Sequence, residues 1–333
     1  MPDTRVIFKK YLPRAAALIF IGVLRFKPAS DKIRLSAAQC RRTTKGENFS
    51  LDEIIRAISG DGFVSVVAIS SRGLTERARD IHKASRVCTA AMGRTMAAAS
   101  ILGSELKKDG ASLTAIIRGG GPIGTVIAVS DSLGNVRCCA GAPEAELPLA
   151  PNGKLDVGRA VGNDGTLTVI RDDGEHEPYS SATELVSGEI AEDFASFLTQ
   201  SEQIGAACAL GVLIGGDGSV RAAGGYIMKL LPGAPEDIIS VLERNITEAG
   251  AVTGMLDGGT AEDVARRVLH SLDPKFVSRA PVEYRCGCSR ERVLGALAGI
   301  GKDDLRDIAE KGAKIEITCR FCDAVYTFSP DEL

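Results

Sequence analysis

Apolar runs and the breaks between them divide the chain before any motif is considered. Phe63–Ser70 alternates as a strand, and Thr75–Leu106 carries a helical, Ala-rich pattern with Met92, Met96, Ile101 and Leu102 on one side. Three β-rich segments follow at Leu113–Arg118, Thr125–Ser130 and Asn135–Ala140, separated by Gly and Asp turns, which predicts an antiparallel meander. A strand is expected at Thr166–Arg171, then a helix entered through Leu185–Glu192 and reaching about Gln203. Ala207–Ile214 and Ser219–Leu230 read as a hairpin around Gly215-Gly-Asp-Gly218. Beyond Pro232-Gly233 the period becomes helical. Glu236–Glu248 lines up Ile238, Ile239, Val241, Leu242 and Ile246, and Thr260 is placed to cap a helix from Ala261 to Leu272, which Asp273-Pro274 ends. Ala280-Pro281 then leads into the last segment. The fold class is α+β: a mixed sheet-and-helix core domain over 49–232, a helical middle segment over 233–281, and a small domain over 282–333.

The last of these carries the most specific chemistry. Cys286-Gly-Cys288 and Cys319-Arg-Phe-Cys322 enclose an interval of 30 residues, the paired spacing that a closed tetrahedral zinc site of four cysteines requires. The interval reads as a helix at Arg290–Ala298 capped by Ser289, a second at Lys302–Lys311 stopped by Gly312, and a strand at Lys314–Thr318 with Ile315 and Ile317 toward one face. A unit of roughly 50 residues holds little core of its own, so metal is expected to keep it folded. A C-x-C pair can also close on itself as a disulfide. The spacing therefore leaves a purely structural zinc ribbon and a switch both open.

Composition narrows the alternatives. The first 48 residues carry 11 Lys and Arg against 3 Asp and Glu, so the rest of the chain has a net charge near -11. Residues 1–48 are expected to be a disordered extension or a start placed too far upstream. Ala15–Leu24 imitates a signal peptide, but Arg25 and Lys27 follow at once and ten apolar residues do not cross a bilayer. With an overall charge of -3 and no Trp, nothing predicts a general affinity for nucleic acid. Gly119-Gly-Gly-Pro-Ile-Gly124 matches a dinucleotide fingerprint in letters, but a strand rather than a helix follows it. His82, His176 and His270 have no patterned nucleophile beside them and read as solvated; no P-loop, G-x-S-x-G or H-E-x-x-H occurs, and the chain is not expected to be an enzyme. Nine cysteines, an odd number, fit a reducing compartment; Cys88 and Cys208 read as buried hydrophobes, and adjacent Cys138 and Cys139 as residues on opposite faces of a strand.

Taken together, Cys286-x-Cys288 with Cys319-x-x-Cys322, Leu185-Val-Ser-Gly-Glu-Ile-Ala-Glu192, Gly211-Val-Leu, Gly218-Ser-Val-Arg-Ala-Ala-Gly-Gly225 and Leu230-Leu-Pro-Gly-Ala234 closely resemble the heat shock protein 33 family from about Ser50 to the C-terminus. The resemblance implies a cytoplasmic, ATP-independent holdase chaperone. It implies one Zn²⁺ held by Cys286, Cys288, Cys319 and Cys322 in an inactive reduced state. It further implies oxidation to the disulfides Cys286–Cys288 and Cys319–Cys322, zinc release, unfolding of the C-terminal region, homodimerisation and capture of unfolding client proteins; the charge balance and the short apolar run, for their part, predict no nucleic-acid or membrane partner. Two other classes are kept beside it: a zinc-ribbon nucleic-acid module using Arg290, Arg292, Lys302, Lys311 and Lys314, and a thiol oxidoreductase using Cys319-x-x-Cys322.

Overall fold

The computed structural model describes residues 24–28, 52–297, 315–329 and 332. The chain divides into two units, one of residues 49–286 and one that joins residues 1–48 with 287–333.

The larger unit contains two antiparallel five-stranded sheets. In the first, the order is Lys275–Pro281 (β11), Glu53–Ile58 (β2), Val64–Ser70 (β3), Val220–Leu230 (β10) and Ala206–Ile214 (β9). In the second it is Val136–Ala140 (β6), Val126–Asp131 (β5), Ser112–Arg118 (β4), Thr166–Asp172 (β7) and Tyr179–Glu184 (β8). The expected meander is β4-β5-β6, with Ala115 opposite Ala128 and Ala128 opposite Cys138.

One helix joins the two sheets. Arg86–Gly103 (α2) buries 16 of its 18 residues and packs against strands of both. Its Ala-rich sequence is apolar on all sides, which suits a helix with no solvent face. The single helix expected over Thr75–Leu106 is two helices. Arg72–His82 (α1) ends at Lys83, whose φ of 48° is left-handed, and α2 restarts at Ser85, whose hydroxyl accepts from the Cys88 amide. The helical period runs through the break because both helices turn apolar residues into one core.

β3 explains why the first sheet reads as nearly continuous apolar sequence. Val67 and Ile69 enter the core around α2. Val64, Val66 and Ala68 face the opposite side, under Asp237–Ala249 (α5), Val252–Leu256 (α6) and Ala261–Val268 (α7), where they meet Leu242, Val264 and Val268. Both faces are covered, so alternate positions are apolar for two different cores. The helices of the middle segment are tied together by Asn245, whose side-chain amide donates to the carbonyls of Val268 (3.3 Å) and His270 (2.6 Å). Thr260 caps α7 as expected, accepting from the Asp263 amide at 3.2 Å. After α7 the chain is not a plain lead into the cysteines. Lys275–Pro281 forms β11, an edge strand paired with β2.

Two sequence motifs find structural work here. The glycines of Gly119–Gly124 abut the short helix Val157–Val161 (α3) and its end: a Cβ at Gly119 would lie 2.1 Å from the Gly162 carbonyl oxygen, and one at Gly121 would lie 2.3 Å from that of Ala160. Close backbone approach, not a phosphate, requires those glycines. In Leu185–Glu192 the loop wraps the buried Asp193 carboxylate, which accepts from the amides of Val186 (2.8 Å), Ser187 (3.2 Å) and Ile190 (2.9 Å) at the start of Ala191–Gln200 (α4). Glu189 pairs with Arg94 of α2 at 2.5 Å and fixes the loop against the core.

In the smaller unit, Leu24–Pro28 (β1), Ile315–Cys319 (β12) and Val325–Phe328 (β13) form a three-stranded antiparallel sheet, with Leu24 opposite Cys319 and Pro28 opposite Ile315. The sequence predicts no element at 24–28. The remainder of the basic extension, Cys40 and the expected helix at Lys302–Lys311 lie outside the described residues.

Asp52 generates a pH prediction. Its carboxylate accepts from the Gly73 (3.0 Å) and Leu74 (2.6 Å) amides at the start of α1, yet burial dominates and raises its pKa from 3.8 to about 6. Between those values the folded chain holds more proton than the unfolded chain, so this group adds stability as pH falls through about 6 and withdraws it as pH rises. Urea unfolding at pH 7.5 and pH 5 is expected to show wild type gaining on Asp52→Asn at the lower pH. A constant difference between the two proteins would contradict it.

Candidate metal centre

Each cysteine pair is held by a short, hydrogen-bonded turn. At the first, the Gly287 carbonyl accepts from Arg292 Nη1 at 2.9 Å. Ser289 then starts the helix Arg290–Leu297 (α8), its hydroxyl accepting from the Arg292 amide at 3.3 Å and its carbonyl from the Val293 amide at 3.0 Å. At the second, β12 ends on Cys319, whose amide donates to the Ala324 carbonyl (2.9 Å) and whose carbonyl accepts from the Asp323 amide (2.8 Å). Asp323, at φ 56°, turns the chain back into β13. Beside the knuckles, Val293, Ile317 and Phe328 are fully buried, and the Arg290 guanidinium lies 4.3 Å from the centre of the Phe328 ring.

The four sulfurs of Cys286, Cys288, Cys319 and Cys322 all lie within 4.8 Å of one another. Those of Cys288 and Cys322 are 3.4 Å apart. A tetrahedron with metal–sulfur arms of about 2.3 Å has edges of about 3.8 Å, so this spacing suits four thiolates around one ion. It is far beyond the roughly 2.05 Å of a disulfide. Thus the described structure brings together all four residues that the sequence singled out. Among the described residues, no other group of three or more His, Cys, Asp or Glu is gathered in this way.

Sequence reasoning missed Tyr326. Its hydroxyl donates to the Cys288 sulfur at 3.1 Å. Burial first, and then the hydrogen bond to Cys288 and the neighbouring sulfurs, holds its pKa well above the ordinary tyrosine value, so it remains a donor. Its signal in the sequence was faint: an aromatic four residues past Cys322 on a strand that pairs with β12. A phenol touching a thiolate draws electron density from it and tempers its nucleophilicity.

The remaining cysteines contrast with this cluster. Burial pushes the Cys88 thiol up to about 12 and holds those of Cys138 and Cys208 well above the ordinary thiol value, so these groups stay protonated and poorly reactive. Cys138 and Cys139 are both buried, because both faces of β6 are covered. Of the histidines, His176 and His270 are exposed. His82 departs from expectation: it is half-buried, with Nε2 2.8 Å from the Cys138 carbonyl oxygen. The Cys319-x-x-Cys322 turn joins two strands, unlike the strand-to-helix setting of a thioredoxin-type site.

The family profile described as Hsp33 protein matches residues 52–329. The chain belongs to the Hsp33 family. It is 46% identical over 283 residues to the 33 kDa chaperonin of Clostridioides difficile, covering 85% of this chain and 97% of that one. The 33 kDa chaperonin of Bacillus velezensis is 38% identical over 284 residues, again covering 85% and 97%. The solved structure of the 33 kDa chaperonin (heat shock protein 33 homolog) of Thermotoga maritima superposes with a TM-score of 0.78 at 34% identity, over 85% of this chain and 96% of that one. Within this Hsp33-family chain, the four-cysteine cluster lies in the matched range, and no helix among the described residues is long and apolar enough to cross a membrane.

The geometry predicts separable roles for ligand and neighbour. Cys288→Ser is expected to abolish stoichiometric metal binding, read by a chromophoric chelator after denaturation. Tyr326→Phe is expected to retain the metal but to weaken its hold about 10- to 100-fold, the usual cost of removing a ligand's hydrogen-bond partner. Equal affinity in wild type and Tyr326→Phe would remove the tyrosine from the site.

Proposed function

We propose that this chain is a redox-regulated, ATP-independent holdase chaperone that is inactive while Cys286, Cys288, Cys319 and Cys322 hold one Zn²⁺. The four-sulfur cluster, beside which only a few described apolar side chains of the C-terminal segment are buried, is the observation that carries the reading. Bound zinc would keep all four sulfurs as thiolates and cross-link the two knuckles. For small structural sites that binding supplies about 10–16 kcal/mol, which is also folding free energy.

Thiolates are the form that oxidants attack. With hypochlorite, each pair of thiolates gives up two electrons, forming one S–S bond while the oxidant is reduced to chloride and hydroxide. Pairing Cys286 with Cys288 and Cys319 with Cys322 follows the family resemblance, whereas the 3.4 Å approach of Cys288 and Cys322 runs between the knuckles. Either pairing removes every ligand, and the folding free energy of the site goes with them. Unfolding of residues 282–333 and of the helical middle segment would then uncover apolar surface, including the sheet face lined by Val64, Val66, Tyr226 and Met228 that α5–α7 cover. Dimerisation of the oxidised chain and capture of unfolding proteins follow in this reading. The action is non-catalytic and cytoplasmic, where reductants reset the thiols.

A zinc-ribbon nucleic-acid module is the second reading. Its expected cations Arg290 and Arg292 are committed locally, Arg290 to the Thr327 carbonyl and Glu332 and Arg292 to the Gly287 carbonyl, which favours the chaperone reading.

Light scattering from a thermally aggregating client separates these cases. Suppression is expected from the oxidised, zinc-free protein and not from the reduced, zinc-loaded protein. Equal behaviour of both forms would return the metal site to a purely structural role.

A further inference from the structure

The chain reaches its first metal-site cysteine by way of a sheet edge. β6 is the outermost strand of its sheet, paired with β5 on one side. On the other side, Glu283, Tyr284 and Arg285 lie along it as a strap. The Val136 amide donates to the Glu283 carbonyl at 3.0 Å, and the Val136 carbonyl accepts from the Arg285 amide at 3.0 Å, a parallel bridge centred on Tyr284. One step along the strand, the Tyr284 hydroxyl donates to the Cys138 carbonyl (3.0 Å) and accepts from the Cys138 amide (3.3 Å). The Glu283 amide adds a bond to Asn135 Oδ1 at 3.0 Å. Three consecutive residues thus engage the outward-facing peptide groups of both Val136 and Cys138.

The strap has one firm end. Upstream it is anchored by Val282, buried in the main core with its amide on the Asp52 carbonyl at 3.0 Å. Downstream it passes directly into Cys286. A few bonds at the end of a released segment fray readily, and peeling would stop at Val282.

From this we infer that the outer edge of β6 is a client-binding surface, one that pairs by its main chain with an extended segment of an unfolded polypeptide once the strap Glu283–Arg285 has come away. The inference rests on the redox-chaperone reading, since it needs the C-terminal region to be released. The occupant is argued from the present one, a piece of ordinary chain in extended form and parallel to β6. Main-chain pairing is independent of sequence, as a binder of many clients requires, with pockets beside the strand taking side chains. A groove of about 360 Å³ lies there, lined on the core side by Ile54, Arg56, Val67 and Leu133 and on the other by the strap's own Glu283 and Arg285, so that release of the strap would widen it. Leu133 stands 61% exposed at its rim.

Residue-resolved amide exchange on the full chain tests this, with reduced, carboxymethylated α-lactalbumin as a permanently unfolded client. The Val136 and Cys138 amides are expected to be protected in the reduced, zinc-loaded protein, to exchange at least about tenfold faster after oxidation, and to regain protection in the client complex. Arg137 and Cys139, which pair with β5, should stay protected throughout. Protection at Val136 and Cys138 that persists after oxidation would overturn the proposal. So would a complex, verified by co-elution, in which those amides remain fast, although the chaperone reading would survive that result. If the oxidised protein binds no client at all, both fail. A variant gives a second readout, taken relative to Val136→Ala because the Val136 side chain is fully buried in the core and either change trims it: Val136→Pro additionally deletes the outward N–H, a loss that edge strands accept. It should weaken client capture by the oxidised form about five- to tenfold, the worth of one hydrogen bond, with zinc release unchanged. Unaltered capture by a folded Val136→Pro protein would count against the edge.

Discussion

The described part of the C-terminal segment gathers around four sulfurs near enough to share one ion. Among the described residues there, the well-buried apolar side chains are Val293, Ile317, Phe321 and Phe328. The knuckle turns bring Cys286, Cys288, Cys319 and Cys322 within 4.8 Å of one another, and a bound cation would replace mutual repulsion of thiolates by a cross-link. A unit stabilised in that way has a single point of failure, and the point is chemically addressable. That is the physical basis for reading it as a switch.

The larger unit is built on the opposite principle. α2 is buried on nearly every side and serves two sheets at once, while three further helices seal the outer face of the first sheet. Cys88, Cys138 and Cys208 are distributed through that packing with their thiol pKa values raised by burial, so oxidation finds them poorly reactive. The two kinds of cysteine therefore need no difference in sequence neighbourhood to behave differently. Burial keeps one set as inert thiols; clustering and a polar neighbour in Tyr326 set the other apart.

Between these regimes lies a short piece of chain whose structure is easily overlooked. Lys275–Pro281 closes the edge of one sheet and Glu283–Arg285 covers the edge of the other, with Val282 buried between them. Exposed sheet edges invite pairing with other chains, and proteins ordinarily cover them. Here the cover runs on in sequence directly into Cys286, and in the reading proposed above that continuity ties the fate of the edge to that of the cysteines.

Much was legible without coordinates. The meander, the Gly215–Gly218 hairpin, the Thr260 cap and the cysteine quartet follow from periods of two and 3.6, from turn chemistry and from ligand spacing, all of which are local. What escaped was of another kind. β8 and β11 are polar edge strands whose sequences, Tyr179-Ser-Ser-Ala-Thr-Glu184 and Lys275-Phe-Val-Ser-Arg-Ala-Pro281, carry little alternation because only one edge and part of one face are covered. The break at Lys83 hid inside an unbroken helical period because α1 and α2 share a core. The Gly119–Gly124 letters, and the resemblance motif at Leu185–Glu192, acquired a physical meaning only when the backbone of residues 160–162 and the Asp193 carboxylate were found against them. Tyr284 could not be singled out at all and Tyr326 only faintly, since a hydroxyl's partner is chosen by tertiary placement and leaves no period in the sequence. The amino-acid sequence by itself determined most of the strongly periodic elements, the cysteine quartet and the family, because those depend on near neighbours along the chain. Which edges are covered, which thiols are silenced and which tyrosines touch sulfur or strand were decided only by the tertiary structure, because each is a contact between residues far apart in sequence.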